Sequence, residues 1–449
     1  MKSSFRIDTA ILAIGDLVAF STALAFMLLI RYGSSLGGAL GLQHIAPFSI
    51  IFAVSILVFL IVGLYEKRTT WVEQELPRRL LQAQIINVLL AVALFYFIDI
   101  FTIAPRANLI LYLVLSVVFV YVWRRGIAPH SRILFGLPSS KRKAVLVATG
   151  SEADELWSEI NNGNYGMVFV EKIDTGEPAI LSKIENTIRT QDVALIVIDL
   201  EHPAIKHAHG LHSLLFKGVT FTDAHSLYES LFDRIPVSLI NEQWLLEHIS
   251  FARKPLYDTV RRTVDVCLAG FGALLSLIVY PFVWAAIKLD DGGPMFITQE
   301  RIGKNGKVVR FRKFRTMRAN DGGDEAAKKV NGPTRIGPFL RKTRIDELPQ
   351  LWDVVRGRAS LIGPRPELPS YVALYEKEIP FYGIRHLMAP GLSGWAQIYH
   401  KDPPKVNTDV DKTKAKLSYD LFYIKNRSLW LDLLIVLRTL QVLMLRNGR

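Results

Sequence analysis

Four apolar stretches crowd the first 123 residues, and each approaches the roughly 20 residues that a helix needs to cross a bilayer. Residues 10–30 carry one charge, Asp16; residues 47–65, 80–98 and 107–123 carry none. The third stretch holds Gln82, Gln84 and Asn87. Four such segments so close together do not suit a soluble domain, so residues 1–125 are expected to form a bundle of four transmembrane helices. The first is too long for the core of a signal peptide and is followed by further spans, so it is read as retained. The composition agrees: 50% of the chain is hydrophobic. A single cysteine excludes a disulfide framework and any zinc cluster built on cysteines.

Lys and Arg outnumber Asp and Glu by 54 to 41, a formal charge of +13. In the membrane region the cations set orientation. Lys2 and Arg6 precede the first stretch, and Lys67, Arg68, Arg78 and Arg79 lie between the second and third. Arg124, Arg125, Arg132, Lys141, Arg142 and Lys143 follow the fourth, while the two opposite loops hold only Arg31 and Arg106. This bias predicts an N-terminus inside and a return to the cytoplasm after Trp123. A fifth run, 266–287, has no charge over 22 residues but is basic on both flanks, with Arg253, Lys254, Arg261 and Arg262 before it and Lys288 after it. Pro281 lies inside it and bends a helix there. The expectation is a re-entrant helix over about 264–288 that enters the membrane, breaks near Tyr280 and Pro281, and leaves on the same face; a kinked fifth span is the competing reading. Residues 429–445 are apolar but interrupted by Asp432, Arg438 and Gln441, the pattern of a helix lying in the interface.

Residues 140–250 read as a soluble α/β module. β-rich runs at 144–148, 167–170, 194–198 and 219–222 alternate with polar, helix-compatible stretches, which predicts a parallel sheet. A dinucleotide site would need G-x-G-x-x-G after the first strand. The chain has A-T-G-S-E-A-D-E-L there, with only Gly150 in place. A Rossmann-like module with a structural or regulatory role is therefore expected, one that regulates the protein or joins two copies of it.

The remaining positive charge has an address. Residues 301–345 hold fourteen Lys or Arg and three acids, net +11. The run includes F-R-K-F-R-T-M, with Lys313 and Arg315, and ends in L-R-K-T-R-I-D-E-L-P-Q-L-W-D, with Arg341, Asp346 and Glu347. The second stretch has the grammar of a helix start: Thr343 as a cap, two acids in the first turn and Pro349 early. On spacing alone these acids complement a helix dipole, worth about 0.3–1 kcal/mol each. Their position directly after a run of cations permits a second use. Cations hold a pyrophosphate, Mg²⁺ is held by one or two carboxylates plus substrate phosphate, and a carboxylate can attack phosphorus. L-I-G-P-R-P-E follows, in which Pro364 and Pro366 stiffen the chain around Arg365, and then A-P-G-L-S-G-W-A-Q, with Trp395 and Gln397.

Five motifs in this order carry a resemblance: K-F-R-T-M, I-D-E-L-P-Q-L-W, S-L-I-G-P-R-P-E, P-G-L-S-G-W-A-Q and Y-D-L-F-Y-I-K-N-R-S-L-W-L-D. Residues 254–449 resemble the bacterial sugar transferases, monotopic phosphoglycosyl transferases whose membrane-entering helix breaks at a proline, here Pro281. With the bundle and the α/β module in front, the chain resembles their large members, the polyprenyl glycosylphosphotransferases. The resemblance implies an α-rich catalytic domain on the cytoplasmic face of the bacterial inner membrane. It implies transfer of a sugar-1-phosphate from a UDP-sugar to undecaprenyl phosphate with release of UMP, using Mg²⁺, as the first membrane step of exopolysaccharide, capsule or O-antigen synthesis. It makes Asp346 the nucleophile of a phospho-aspartyl intermediate and Glu347 a catalytic partner that binds Mg²⁺ and helps with proton handling. Lys313, Arg315 and Arg341 become phosphate contacts, Arg365 a nucleotide or polyprenyl-phosphate contact, and Trp395 and Gln397 substrate-lining residues. Expected partners are the two substrates, membrane lipids and a second copy of the chain, with no nucleic acid. Two positions depart from the family pattern: Asp353 where Asn is common, and Arg358–Ala359 where an acid and Met are common. Two other readings compete: a membrane-anchored nucleotide-sugar dehydratase or oxidoreductase, which lacks its glycine fingerprint, and a polyanion-binding patch.

Overall fold

A computed structural model describes residues 2–33, 38–62, 64–65, 76–97, 106–127, 142–163, 165, 167–177, 179–206, 210–249, 254–318, 332–399 and 409–444. Of the cations that set the expected topology, Lys67, Arg68, Arg132 and Lys141 lie outside these residues. The chain divides into two compact units, Met1–Leu231 and Phe232–Arg449.

The first unit opens with four helices, α1 (Lys2–Tyr32), α2 (Gly38–Val62), α3 (Leu76–Phe97) and α4 (Arg106–Val122). Two segments, Ala10–Tyr32 and Ile110–Ile127, are long and apolar enough to cross a membrane; the apolar segments Pro47–Val62 and Arg79–Val92 are shorter. Phe20, Phe59, Leu80 and Val120 are buried against one another, while Leu29, Leu57, Leu89 and Ile110 are exposed on the outside. Helices that are apolar on both their packed and their outer faces are at home in lipid.

The single charge of the first apolar stretch is neutralised inside this bundle. Asp16 is fully buried, and Arg124 donates to it twice, from Nε to Oδ1 at 3.0 Å and from Nη2 to Oδ2 at 2.5 Å. Tyr65 donates its hydroxyl to Asp16 Oδ2 at 2.7 Å, and Arg124 Nη1 donates to the Leu64 carbonyl at 2.7 Å. Arg124 therefore turns inward and ties α1 to the end of α4, rather than standing as a surface cation. Breaking a buried pair strands the remaining charge, at a cost of about 3–5 kcal/mol. Asp16→Ala is expected to lower the melting temperature of the full-length protein in detergent by many degrees. A melting curve that overlays wild type would show that the pair contributes nothing.

The α/β part follows. Strands β1 (Arg142–Val147), β2 (Met167–Ile173), β3 (Leu195–Ile198) and β4 (Thr220–Asp223) fall on the four β-rich runs and form one parallel sheet in the order β2-β1-β3-β4. Helices α5 (Ser151–Asn162), α6 (Ile180–Gln191) and α7 (Ala224–Phe232) lie between and after the strands. Val145, Val147, Ile196 and Ile198 are fully buried, as the continuous apolar runs of a parallel sheet covered on both faces require.

The second unit begins earlier than a boundary at 250 would place it. Ile235, Trp244 and Leu245 share one core with Val372, Tyr375, Leu417 and Leu421. These apolar side chains, around the short helix α8 (Glu242–His248), find their burial in the C-terminal unit. Next come α9 (Pro255–Ser276) and α10 (Tyr280–Asp291), set at 53° to each other. The bend lies at residues 277–279, where three short i→i+3 bonds replace helical ones, from Leu277, Ile278 and Val279 to Leu274, Leu275 and Ser276. Pro281 follows the bend, in the first turn of α10, where its missing N–H costs no helical bond. Leu268, Phe271, Leu274, Ile278, Phe282 and Trp284 are all exposed along this bent pair.

The rest of the unit is helical with two small sheets: β5 (Phe296–Ile302) antiparallel to β6 (Val308–Phe314), and β7 (Ser360–Ile362) parallel to β8 (Gly391–Ser393). Helices α11 (Gly337–Lys342), α12 (Leu351–Val355), α13 (Pro369–Glu378), α14 (Trp395–Tyr399), α15 (Val410–Asn426) and α16 (Leu429–Met444) complete it. Asp432, expected to interrupt an interfacial helix, is buried and accepts hydroxyl bonds from Tyr257 (2.8 Å) and Tyr423 (2.6 Å).

Candidate active site

The two adjacent acids sit in a tight 3₁₀ turn, Ile345–Gln350, that follows α11. Thr343 does not cap it. Its Oγ1 donates back to the carbonyls of Phe339 (2.8 Å) and Leu340 (3.2 Å), so it finishes the helix before. The reversal is made at Arg344, whose φ of 58° is left-handed, a conformation that is strained for a residue with a side chain and that clusters at functional sites. This reversal turns Asp346 inward and leaves Glu347 half-buried beside it.

Asp346 is only 8% exposed, and its Oδ1 accepts no hydrogen bond from the described residues. Burial raises its pKa from 3.8 to about 6, with the neighbouring Glu347 carboxylate adding to the effect; Lys313, Arg344 and Arg341 pull the other way and do not win. Glu347 has the opposite balance. Burial pushes its carboxyl up, but the guanidinium groups of Arg365 and Arg344 outweigh it and hold the carboxyl below its ordinary range. Both donate to Oε1, Arg344 at 3.0 Å and Arg365 at 3.1 Å. Two neighbouring carboxyls with pKa values driven apart are the arrangement that lets one serve as a reactive group and the other as a fixed anion.

Arg365 reaches Glu347 from the loop that leaves β7. That loop packs backbone to backbone on the strand of the G-L-S motif: a Cβ on Gly391 would lie 2.0 Å from the Gly363 nitrogen, so no larger residue fits there. The loop's carbonyls are tied in turn. Pro364 accepts from Gly391 N (3.0 Å), Arg365 from Arg385 Nη2 (3.0 Å) and Glu367 from Ile302 N (2.9 Å).

The expected phosphate contacts separate into two groups. Lys313, half-buried on β6, and Arg341, exposed on α11 with Nε donating to Thr316 Oγ1 at 2.8 Å, both bear on the charge of Asp346. Arg315 does not join them. Its buried guanidinium donates to the carbonyls of Pro294 (3.0 Å), Met317 (3.2 Å) and Arg318 (3.0 Å) and to the Asp291 carboxylate, and it covers Gly293 so closely that a Cβ there would clash. It fastens the end of α10 to the strand beside it. Trp395 is likewise buried, with Nε1 donating to the Asp233 carbonyl at 2.8 Å and its ring stacked on Phe422, so it anchors the core. Gln397 is half-buried in the same short helix, α14. The two departures from the family pattern meet each other: Arg358 Nη1 donates to the buried Asp353 at 3.4 Å. The acid at 353 thus comes with its own counter-charge.

Two residues of the site were not singled out in the sequence. Arg344 lies inside the basic run, and its adjacency to the acid pair was the available signal. Arg385 lies 20 residues beyond Arg365, and nothing local marks it.

Among the described residues no group of three or more His, Cys, Asp or Glu is placed to hold a metal by itself. Two hard carboxylates, one with an oxygen that accepts no bond, do fit a cation that completes its shell with substrate phosphate and water.

Residues 256–446 match the bacterial sugar transferase family. The chain is 39% identical over 223 residues to a UDP-N-acetylgalactosamine-undecaprenyl-phosphate N-acetylgalactosaminephosphotransferase of Aeromonas hydrophila, covering 49% of this chain and 51% of that one. It is 36% identical over 197 residues to a UDP-glucose:undecaprenyl-phosphate glucose-1-phosphate transferase of Escherichia coli K12, covering 41% and 42%. It is 40% identical over 189 residues to the exopolysaccharide production protein PSS of Rhizobium leguminosarum bv. phaseoli, covering 40% and 92%. The match thus spans about half the length, or less, of the first two relatives and nearly all of the third. With that third protein covered almost end to end, and with all five motifs in one folded unit, the chain belongs to the bacterial sugar transferase family.

Proposed function

We propose that this protein transfers a sugar-1-phosphate from a UDP-sugar to undecaprenyl phosphate and releases UMP, the priming step of a surface polysaccharide. The observation that carries the reading is Asp346: a buried carboxylate with an oxygen that accepts no hydrogen bond from the described residues, set beside an arginine-clamped Glu347. The relatives named above supply the substrate classes.

In the first half-reaction Asp346 Oδ1 attacks the phosphorus that bears the sugar. The new O–P bond forms as the bridging P–O bond breaks, and UMP leaves with that bond's electron pair. In the second, a phosphate oxygen of undecaprenyl phosphate attacks the same phosphorus and the carboxylate departs unchanged. Lys313, Arg341, Arg344 and Arg365 hold the pyrophosphate, since phosphoryl transfer depends on positioning and charge neutralisation. Glu347, with Asp346 beside it, would hold Mg²⁺, which supplies further neutralisation of the pyrophosphate. One substrate is soluble and the other is a lipid, so the site belongs at a membrane surface. Four helices crossing the bacterial inner membrane, a re-entrant α9–α10 pair and a cytoplasmic catalytic unit provide that placement. The parallel sheet serves as a Rossmann-like module.

The test uses purified full-length protein, undecaprenyl phosphate, Mg²⁺ and a panel of UDP-sugars. UMP release from at least one of them, with ping-pong kinetics, is expected. No UMP from any of them overturns the assignment.

A further inference from the structure

Arg385 lies in the 3₁₀ turn Tyr382–Leu387 and is 2% exposed. Its fork is fully engaged. Nε and Nη2 donate to Asp420 Oδ2 at 3.1 and 2.8 Å, and Nη1 donates to the Tyr382 hydroxyl at 2.6 Å. Nη2 also donates to the carbonyl of Arg365 at 3.0 Å. Glu367 stands 3.9 Å from Nη1 and is itself paired with Lys416. Two cations and two carboxylates are therefore gathered inside the fold, and the group they reach at the active site is the backbone of Arg365.

A buried ionic cluster is a weak stabiliser, because desolvation cancels much of its attraction. Its use here is visible in the loop it touches. Arg365 stands between Pro364 and Pro366, which have no N–H, so that stretch has lost two of the donors by which a loop is normally anchored. Its carbonyls remain as handles, and that of Arg365 is held by Arg385. The side chain on that same residue meets Glu347 at 3.1 Å. The chain of contact runs Asp420, Arg385, Arg365 backbone, Arg365 guanidinium, Glu347. Arg385 donates both to Asp420 and to the Arg365 carbonyl; a lysine would keep the charge but not the fork.

We infer that Arg385 is a positioning residue: it fixes the backbone of Arg365 so that the Arg365 guanidinium is aimed at Glu347 and at the phosphates of the substrate. The inference rests on the function proposed above. It predicts non-additivity. Arg385→Lys in the full-length protein is expected to lower kcat by about 10–100-fold, the range for loss of a group that orients an active-site ligand. In an Arg365→Ala background the same change is expected to alter kcat by less than about twofold, because nothing is left to aim. Equal fold-losses in both backgrounds overturn the inference, since Arg385 then acts on the fold at large. Tyr382→Phe loses one bond to Arg385 and keeps the ring, and the same non-additivity is expected from it should Arg385→Lys fail to fold. A second arm does not need turnover: calorimetric binding of inorganic pyrophosphate, expected to be about tenfold weaker in Arg385→Lys than in wild type at equal melting temperature. If wild type turns over no UDP-sugar, the proposed function fails, and this arm still decides. Equal pyrophosphate affinity in the two proteins, or none in wild type, rejects the positioning role.

Discussion

Asp346→Asn is expected to leave a protein that releases no measurable UMP, forms no covalent phosphosugar adduct, and melts at a higher temperature than wild type. Loss of a catalytic nucleophile commonly costs 10⁴-fold or more, roughly the largest effect a single side chain can have on a rate. The gain in stability follows from the same burial. An aspartate with a pKa of 3.8 when unfolded and about 6 when folded opposes folding once it ionises. The sign follows from linkage: the penalty is absent below about pH 4, grows as pH rises through the interval, and is complete above about 6. The difference corresponds to roughly 3 kcal/mol at neutral pH. Asparagine never ionises, so the variant should melt about 5–10 °C higher at pH 7.5. That advantage should vanish as the pH approaches 4. Mass spectrometry of protein quenched with UDP-sugar alone, together with melting curves at the two pH values, checks both halves. An adduct on the variant removes Asp346 from the chemistry. A variant less stable than wild type at pH 7.5 refutes the buried, ionised carboxylate.

The pattern of the chain made some of this legible and concealed the rest, for identifiable reasons. Apolar length and strand-like runs are one-dimensional properties, so the helices of the first unit and the four parallel strands fall where hydrophobicity places them. Asp346 and Glu347 were legible because they are adjacent to each other and to cations. What the linear pattern conceals is burial and long-range pairing. Arg315 sits among cations that face outward, but its position just past β6 turns it into the carbonyls of residues 294, 317 and 318. Arg124 reads as a surface cation until α1 brings Asp16 to it across 108 positions. Thr343 has the right spacing for a cap, yet the left-handed Arg344 places the turn one residue later. Arg385 is invisible for the same reason, since it acts on a backbone carbonyl 20 residues away.

Glu347→Gln separates two jobs that one carboxylate holds. The first is electrostatic. After burial, its charge is the largest influence raising the pKa of Asp346. In the proposed reaction Asp346 acts as the carboxylate, so wild-type kcat/KM should rise with pH through about 6 and level off above it. With glutamine at 347 that acid limb should move to lower pH, because the neighbouring charge is gone while Lys313, Arg344 and Arg341 remain. The second job is to hold Arg365 and Arg344 and, in the proposed reaction, Mg²⁺. Glutamine loses the anion they share, so kcat should fall by roughly 10²–10³-fold, as it does when a preorganised electrostatic partner is removed, and more Mg²⁺ should be needed for half-maximal rate. The two jobs move the profile in opposite senses at low pH: the variant is slower everywhere but loses proportionally less activity on acidification. Profiles of kcat/KM at one fixed Mg²⁺ concentration, and Mg²⁺ titrations at pH 8, measure the two separately. An acid limb that stays at its wild-type position rejects the coupling between the carboxyls, and an unchanged Mg²⁺ midpoint rejects Glu347 as a ligand. A defect confined to stability would scale the whole profile down without moving its limb, so the shift identifies Glu347 as the residue that sets the reactivity of Asp346.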